Sequence, residues 1–196
     1  MDVESKRDSS ASGEVMEFRV WAELIEQSGG ALHIFLPLLD RGLDGVAHRL
    51  TDRAYLPLQV KGRAALRDGS LTIVVRDDSL VDDDAWMICG LSTSAGLGEE
   101  VLVVQERDFK RLASRSVFDG HDVYEAIFSM HPHASRWAEF LRPRDRLAEP
   151  LMAGVPAPPG FSRPAVAPAD RTHSWLGFLG EAEVVRRLFG APLSSR

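Results

Sequence analysis

A mixed α/β fold is what this sequence predicts, and three patterns predict it. From Glu14 to Gln27, apolar residues (Val15, Phe18, Trp21, Ala22, Leu24, Ile25) recur at spacings of three and four, the signature of an amphipathic helix. Short apolar runs then follow from Ala31 onward, several alternating with period two and separated by Gly, Asp and Ser turns, which reads as strands. Helical patterns return nearer the C-terminus. The expected architecture is a mixed central β-sheet flanked by helices, with a last helix beyond a proline-rich linker.

Bulk properties set the outer limits. The 196 residues are enough for one domain with a full hydrophobic core, and 44% hydrophobic with 27% charged is ordinary for a globular protein. A single cysteine, Cys89, rules out an internal disulfide or a thiolate metal cluster and fits a reducing compartment. The opening MDVESKRDSSASGE lacks the apolar centre of a secretory signal, and no run approaches the roughly 18 apolar residues of a membrane span. A soluble, cytoplasmic protein without a membrane partner is therefore expected. The net charge of -6 counts against tight, nonspecific binding to a phosphate backbone, although local patches matter more than the sum.

In chain order, residues 1–12 carry almost nothing to bury and read as a disordered leader. The helix over 14–27 starts near Ser12 and stops at Gly29-Gly30. Ala31–Leu39 reads as an edge strand because of Pro37, and Leu43–Leu50 as a second strand. Thr51-Asp52-Arg53 forms a hairpin turn into a third strand, Tyr55–Val60. There Leu56, Leu58 and Val60 face one way, and Tyr55, Gln59 and Lys61 the other. Leu71–Val75 is expected to close this meander. The acids Asp77, Asp78, Asp82, Asp83 and Asp84 lack the spacing of a calcium loop and read as a solvated connection. Ala85–Leu91 is a buried strand with Cys89 as a core residue, 92–100 a Gly/Ser loop without the lysine of a phosphate-binding loop, and Val101–Gln105 a further strand. Asp108–Ser114 and His131–Leu147 read as helices, the second burying Trp137, Phe140 and Leu141 and opening on His131 and His133. The six prolines of 150–170 mark a linker, and the apolar anchors Trp175, Leu179, Val185, Leu188 and Phe189 mark a C-terminal helix within 171–196. That helix is a candidate for homo-oligomer or protein-partner contacts. The predicted organisation is thus a leader (1–12), a domain (13–149), a linker (150–170) and a docking helix (171–196).

The residues that suggest chemistry lie in Leu43–Arg63, LDGVAHRLTDRAYLPLQVKGR. Asp44 opens the second strand, and Gln59-Val60-Lys61 follows fifteen positions later on the third. Adjacent strands bring an acid, an amide oxygen and a lysine to one end of a sheet. Glu17, inside the first helix, adds a carboxylate from another element. Phosphodiester hydrolysis needs an activated water and stabilisation of extra charge on the phosphoryl oxygens, and a bound Mg²⁺ can supply both. Mg²⁺ takes hard oxygen ligands, usually with only one or two carboxylates.

In its order of helix, strand, strand, strand, with an acid in the helix, an acid on the second strand and Gln-x-Lys on the third, the chain resembles the PD-(D/E)XK nuclease superfamily from about Gly13 to Leu91. Gly13-x-x-x-Glu17 followed by Leu24 is similar to the opening helix of its Holliday-junction-resolvase branch. The phrase LQVKGR looks like the third strand of several poorly characterised bacterial families with a Q-x-K variant motif. The resemblance implies a restriction-endonuclease-like core and a metal-dependent nuclease acting on nucleic acid, DNA ahead of RNA, in repair, restriction or phage defence. It implies Asp44, Gln59, the Val60 carbonyl and Glu17 around Mg²⁺ (or Mn²⁺), with Lys61 as electrostatic stabiliser beside the attacking water. Gln59 departs from the usual carboxylate. The alternative is a non-catalytic nucleic-acid- or protein-binding module that keeps the fold. In a purely structural reading, Asp44 is a turn residue, Lys61 a strand-end cation, Gln59 an edge polar group and Glu17 a solvated helix residue.

Overall fold

The computed structural model describes residues 3–37, 42–129 and 135–153. The proposed linker from 154 onward, the C-terminal helix, and His131 and His133 lie outside them. Helix α1 (Val3–Gln27) is longer than its apolar stripe predicts. The sequence expected to be a disordered leader continues the helix upstream, and Met16, Val20, Trp21 and Leu24 are its core-buried side chains among the described residues. The helix ends where expected. Gly29 and Gly30 adopt φ of 61° and 80°, and the Gly30 N–H donates to the Ile25 carbonyl at 2.9 Å.

The strands are β1 (Leu32–Phe35), β2 (Gly45–Arg49), β3 (Ala54–Arg63), β4 (Ser70–Arg76), β5 (Trp86–Thr93), β6 (Gly96–Gln105), β7 (Ser114–Phe118), β8 (His121–Ser129) and β9 (Leu141–Pro143). Two further short helices are α2 (Glu106–Leu112) and α3 (Glu149–Met152). Six strands form one mixed sheet in the order β1-β2-β3-β5-β6-β9, with β3 and β5 parallel and the other neighbours antiparallel. The architecture is therefore the mixed α/β fold that the sequence predicts, and β1 is the edge strand that Pro37 calls for.

Several expectations are corrected. Strand β4 does not close the first meander but opens a second, three-stranded sheet in the order β4-β8-β7. The loop predicted over 92–100 is mostly strand, because β5 and β6 extend towards each other and leave a tight turn at Ser94-Ala95. In place of the helix predicted over 131–147, residues 135–147 form two 3-10 turns, Ala138–Phe140 and Arg144–Arg146, on either side of β9. Pro143 lies inside the predicted helix, where it would remove a hydrogen bond and clash with the preceding turn. Leu141 instead pairs with Leu102. Residues 150–152, expected to open the linker, are helical, and Leu151 is fully buried in α3.

The main sheet is covered differently on its two faces. On one, Met16, Val20, Trp21 and Leu24 of α1 pack on Leu32, Ala47, Leu58, Val60 and Ile88, joined by Leu147 and Leu151. Each such fully buried aliphatic side chain contributes about 1.5–3 kcal/mol. On the other face, Leu71, Ile73 and Val75 of β4 and Tyr124, Ala126 and Phe128 of β8 pack on Met87, Cys89, Leu102 and Val104, with Phe109 and Trp137. Burial pushes the Cys89 thiol up to about 12, which makes it an unreactive core residue, as expected. Among the described residues this second cluster takes nothing from β1, β2 or β3, so the small sheet covers only part of that face.

The acidic connection is not merely solvated. Asp83 pairs with Lys110 at 2.7 Å, Asp84 with Arg107, and Asp78 with Arg76, while Lys110 also donates to the Leu80 carbonyl. No group of three metal-binding side chains forms there among the described residues. Beneath it, Glu106 is fully buried, accepting from the Asp82 N–H at 3.2 Å with Lys110 at 3.8 Å and leaving Oε1 without a partner. Burial, outweighing the Asp82 N–H and Lys110, raises its carboxyl to about 7 from an ordinary value near 4.5. The folded state thus holds a proton that the unfolded state has released. This contribution is present in full below about pH 4.5 and is lost as pH rises through 7. Urea denaturation from pH 4.5 to 8 should show the wild type losing on the order of 3 kcal/mol relative to Glu106→Gln. Parallel stability profiles for the two proteins would refute this assignment.

Candidate functional site

Strand β3 is ten residues long but changes neighbours half-way. Its first half, Ala54–Leu58, pairs with β2, and its second half, Leu58–Arg63, pairs with β5. Pro57, which has no N–H to offer, falls where β5 has not yet begun. Beyond Leu58 the edge that faced β2 has no strand beside it among the described residues, because β2 begins at Gly45.

Asp44 sits at this departure point. Its own N–H donates to the Leu58 carbonyl at 2.9 Å, the last backbone bond of the β2–β3 pair. Its carboxylate Oδ2 then accepts the next N–H along β3, that of Val60, at 2.6 Å. A side chain thus replaces a strand in the ladder. In a strand, alternate residues direct their backbone groups to the same edge, so the Val60 carbonyl also points into the gap beside Asp44. Lys61 brings its ammonium to 3.7 Å from the same Oδ2, with side chains 32% and 13% exposed for lysine and aspartate. The lysine is thus partly exposed and the aspartate mostly covered, and a partly exposed ion pair of this kind contributes about 1 kcal/mol or less to stability.

Gln59 is placed differently from the simple strand-end donor that the sequence suggests. It is completely buried, roofed by the backbone of residues 42 and 79. Its Nε2 donates to the Gly42 carbonyl at 2.5 Å and to the Ser79 carbonyl at 3.2 Å. Two carbonyl acceptors fix the orientation of the amide, since the reverse would oppose oxygen to oxygen. Oε1 is left buried and without a hydrogen-bond partner. A carboxylate here would face the same two carbonyls with no proton to give, which is a structural reason for glutamine at this position.

Glu17 comes from the other face of the sheet. The added Cβ of an alanine at Gly45 would meet the Trp21 ring at 3.1 Å, and one at Gly62 would meet the Met16 sulfur at 2.2 Å. Helix α1 therefore runs from Gly62 towards Gly45 as its sequence advances. Glu17 is one turn before Trp21 on the helix, half-buried. Asp44, Val60 and Lys61 are thus in direct contact, whereas Gln59 is held by the carbonyls of residues 42 and 79 and Glu17 belongs to the helix on the opposite face of the sheet. Glu106 has no place in this group and was missed by sequence reasoning. Its position at a strand-to-helix junction carries no periodic signal that distinguishes it from a solvated first-turn acid.

The donor set can be tested against a hard divalent cation. It offers one carboxylate, a backbone carbonyl at a strand edge and an amide oxygen that is buried without a hydrogen-bond partner, and among the described residues no three His, Cys, Asp or Glu side chains gather to hold a metal ion. Mg²⁺ uses few protein ligands of this kind and completes its shell with water and phosphate. Oxygen donors alone, with no imidazole or thiolate, fit that ion.

No known family profile matches the chain, and no curated protein matches it. Among solved structures, the chain is similar to a Holliday junction resolvase from Archaeoglobus fulgidus, an archaeal hyperthermophile, at 16% identity and a TM-score of 0.41, covering 65% of this chain and 93% of that one. It is also similar to a bacterial homing endonuclease, at 12% identity and a TM-score of 0.40, covering 71% and 95%. At these scores the likeness decides nothing about the site, whose reading rests on its own geometry.

The Gln59 account has a direct consequence. Gln59→Glu should lower stability by about 2–4 kcal/mol at neutral pH, because it buries a charge against two carbonyl oxygens. The deficit should shrink in acid, where a protonated carboxyl can again donate. Chemical denaturation at pH 7.5 and 4.5 reads both effects, and a Gln59→Glu protein as stable as wild type at pH 7.5 contradicts the account.

Proposed function

We propose that this protein is a metal-dependent phosphodiester hydrolase acting on nucleic acid, with DNA ahead of RNA as substrate. The observation that carries the reading is the gap beside β3, where the Asp44 carboxylate, the Val60 backbone and the Lys61 ammonium meet at one open strand edge. Such a place brings hard oxygen donors and one cation together at a strand edge. The PD-(D/E)XK resemblance of the sequence puts the same residues in the same order.

In this reading Asp44, the Val60 carbonyl and Glu17 would hold Mg²⁺ or Mn²⁺, with the buried, unpartnered Gln59 oxygen as a weaker candidate donor. When bound, the cation lowers the pKa of a coordinated water and offsets charge on the phosphoryl oxygens. The other contributions belong to the chain. Asp44 fixes the edge of β3 through the Val60 N–H, so its second oxygen is directed without a loss of rotamer freedom at the moment of binding. Lys61, tethered to Asp44, presents a positive charge to the phosphate and stabilises the charge that develops there. The loop carbonyls of Gly42 and Ser79 hold the Gln59 amide rigid.

A second reading has one specific observation in its favour. The amide of Gln59 is tied into the loop packing in a way that a carboxylate could not be, so a charge common to such sites is absent. A module of this fold that binds nucleic acid or protein without cleaving it would tolerate that.

Cleavage of supercoiled plasmid, single-stranded and branched DNA, and RNA, with Mg²⁺ or Mn²⁺ against a chelator, separates the two. Lys61→Ala should lower the cleavage rate by about 100-fold or more with little change in melting temperature. Asp44→Asn should keep the Val60 hydrogen bond and the fold yet lose cleavage to a similar degree. Cleavage that is indifferent to metal and to both substitutions would falsify the hydrolase reading.

A further inference from the structure

The face of β1–β3 that the small sheet leaves open carries a row of rings that the hydrolytic site does not use. His48 and Tyr55 are cross-strand partners whose rings stack at 4.5 Å between centroids, 10° from parallel. Phe35 on β1 lies 6.3 Å from His48 on the other side. Tyr55 is 65% and Phe35 53% exposed, which is unusual for large rings on a sheet and leaves their outer surfaces bare.

Strand alternation puts these residues on the same sheet face as the site. Tyr55, Pro57, Gln59 and Lys61 follow one another at every second position of β3, as do His48, Val46 and Asp44 on β2. Phe35 is opposite Val46, two residues from Asp44. The row therefore begins near the β2–β3 turn and leads to the gap, over about 20 Å from Tyr55 to Lys61. Cations stand at both ends. Arg53 is exposed in the turn, Lys61 stands at the gap beside Asp44, and the exposed Arg63 donates to the Thr72 carbonyl of β4 at 3.1 Å, while the nearby acid Asp52 is paired with Arg49 at 2.6 Å.

We propose that this face is a stacking platform for unpaired nucleotides, which leads a single strand into the Asp44–Lys61 gap; the inference rests on the hydrolase reading for its destination, but not for binding itself. Flat rings held in place by one another suit the faces of bases, which all have a π-surface, and so recognise single-stranded nucleic acid with little regard to sequence. A duplex hides those faces inside its stack. The separation of cations by a stretch without charge matches a strand whose phosphates are gripped at its ends and whose bases lie flat between. Between the rings and the gap, Val46 and Pro57 are half-buried and offer little apolar area, so the exposed surface is concentrated in the rings themselves.

The test is fluorescence anisotropy of short labelled oligo-dT and mixed-sequence single strands, with chelator present so that no cleavage occurs. Tyr55→Ala should weaken single-strand binding about tenfold, and the double variant with Phe35→Ala further, while Tyr55→Phe and Tyr55→Trp keep it. Binding to blunt duplex should not change. Because both rings are exposed, melting temperatures should stay within a few degrees, and the ring-retaining variants control for any that do not. Equal single-strand affinity for wild type and Tyr55→Ala overturns the platform. So does a wild-type dimer that Tyr55→Ala converts to monomer without altering oligonucleotide binding. Ring-dependent binding without any metal-dependent cleavage supports the platform and removes the hydrolase. Lys61-dependent cleavage with ring-independent binding does the reverse.

Discussion

One hydrogen bond determines how the sheet is laid out, the 2.6 Å contact from the Val60 N–H to the Asp44 carboxylate. An N–H in mid-strand must find an acceptor, and in an ordinary sheet a neighbouring strand supplies it. Here β2 begins one residue after Asp44, too late to reach Val60. The side chain closes the ladder in its place. That allows β2 to depart, β3 to continue alongside β5, and an edge rich in oxygen donors to remain open in the middle of a sheet rather than at its rim. Without the carboxylate, Val60 would keep an unsatisfied donor in a nearly buried position, at a cost of about 1–3 kcal/mol. The same atom that makes the fold possible is therefore the one that Lys61 approaches.

The environment of that edge is built from two directions. Helix α1 closes one face because glycine at 45 and 62 lets Trp21 and Met16 approach the strands. The connection 77–84 closes the other, held down by its acids on Lys110 and Arg107. Gln59 joins that connection to the strand by donating to both Gly42 and Ser79. Gly42 has φ of 89°, and an added Cβ would come within 2.5 Å of the Ser79 carbonyl oxygen, so backbone packs on backbone at this point. Amide, glycine and loop form one unit. A change at position 59 is thus a change in packing before it is a change in ligand chemistry.

Much of this was legible in the sequence where one physical signal dominated. The α1 stripe, the Gly29-Gly30 stop and the alternation of β3 each follow from local pattern, and they fix which residues share a face. Asp44 and Lys61 fall together because register follows from the short turn at Thr51-Asp52-Arg53. The burial of Gln59 was not legible, since its roof comes from loop residues seventeen and twenty positions away. The second sheet was missed for a different reason. Asp119-Gly120, with φ of 52° and 75°, is a strong hairpin turn between alternating segments, yet every residue of β7 is exposed and so shows no apolar pattern. The helix expected near Trp137 fails on Pro143, a local signal that apolar spacing outweighed in the reading.

The partial coverage of the sheet ties these features to function. A sheet face in a domain of this size is normally buried or polar, because bare rings favour association. Here the small sheet packs mainly on β5 and β6 and meets β3 only at its end, where Arg63 donates to the Thr72 carbonyl, while α1 packs on the opposite face of β1–β3. Stability therefore does not require the open face to be covered, and its rings are free to meet something else. The site shares that face and stands where the covered and open parts meet, so that any long polymer lying on β1–β3 would pass it. The low density of charge on the platform is consistent with the acidic protein as a whole. Recognition would come from stacking along the face and from cations only at its ends, rather than from a basic surface that the composition does not provide.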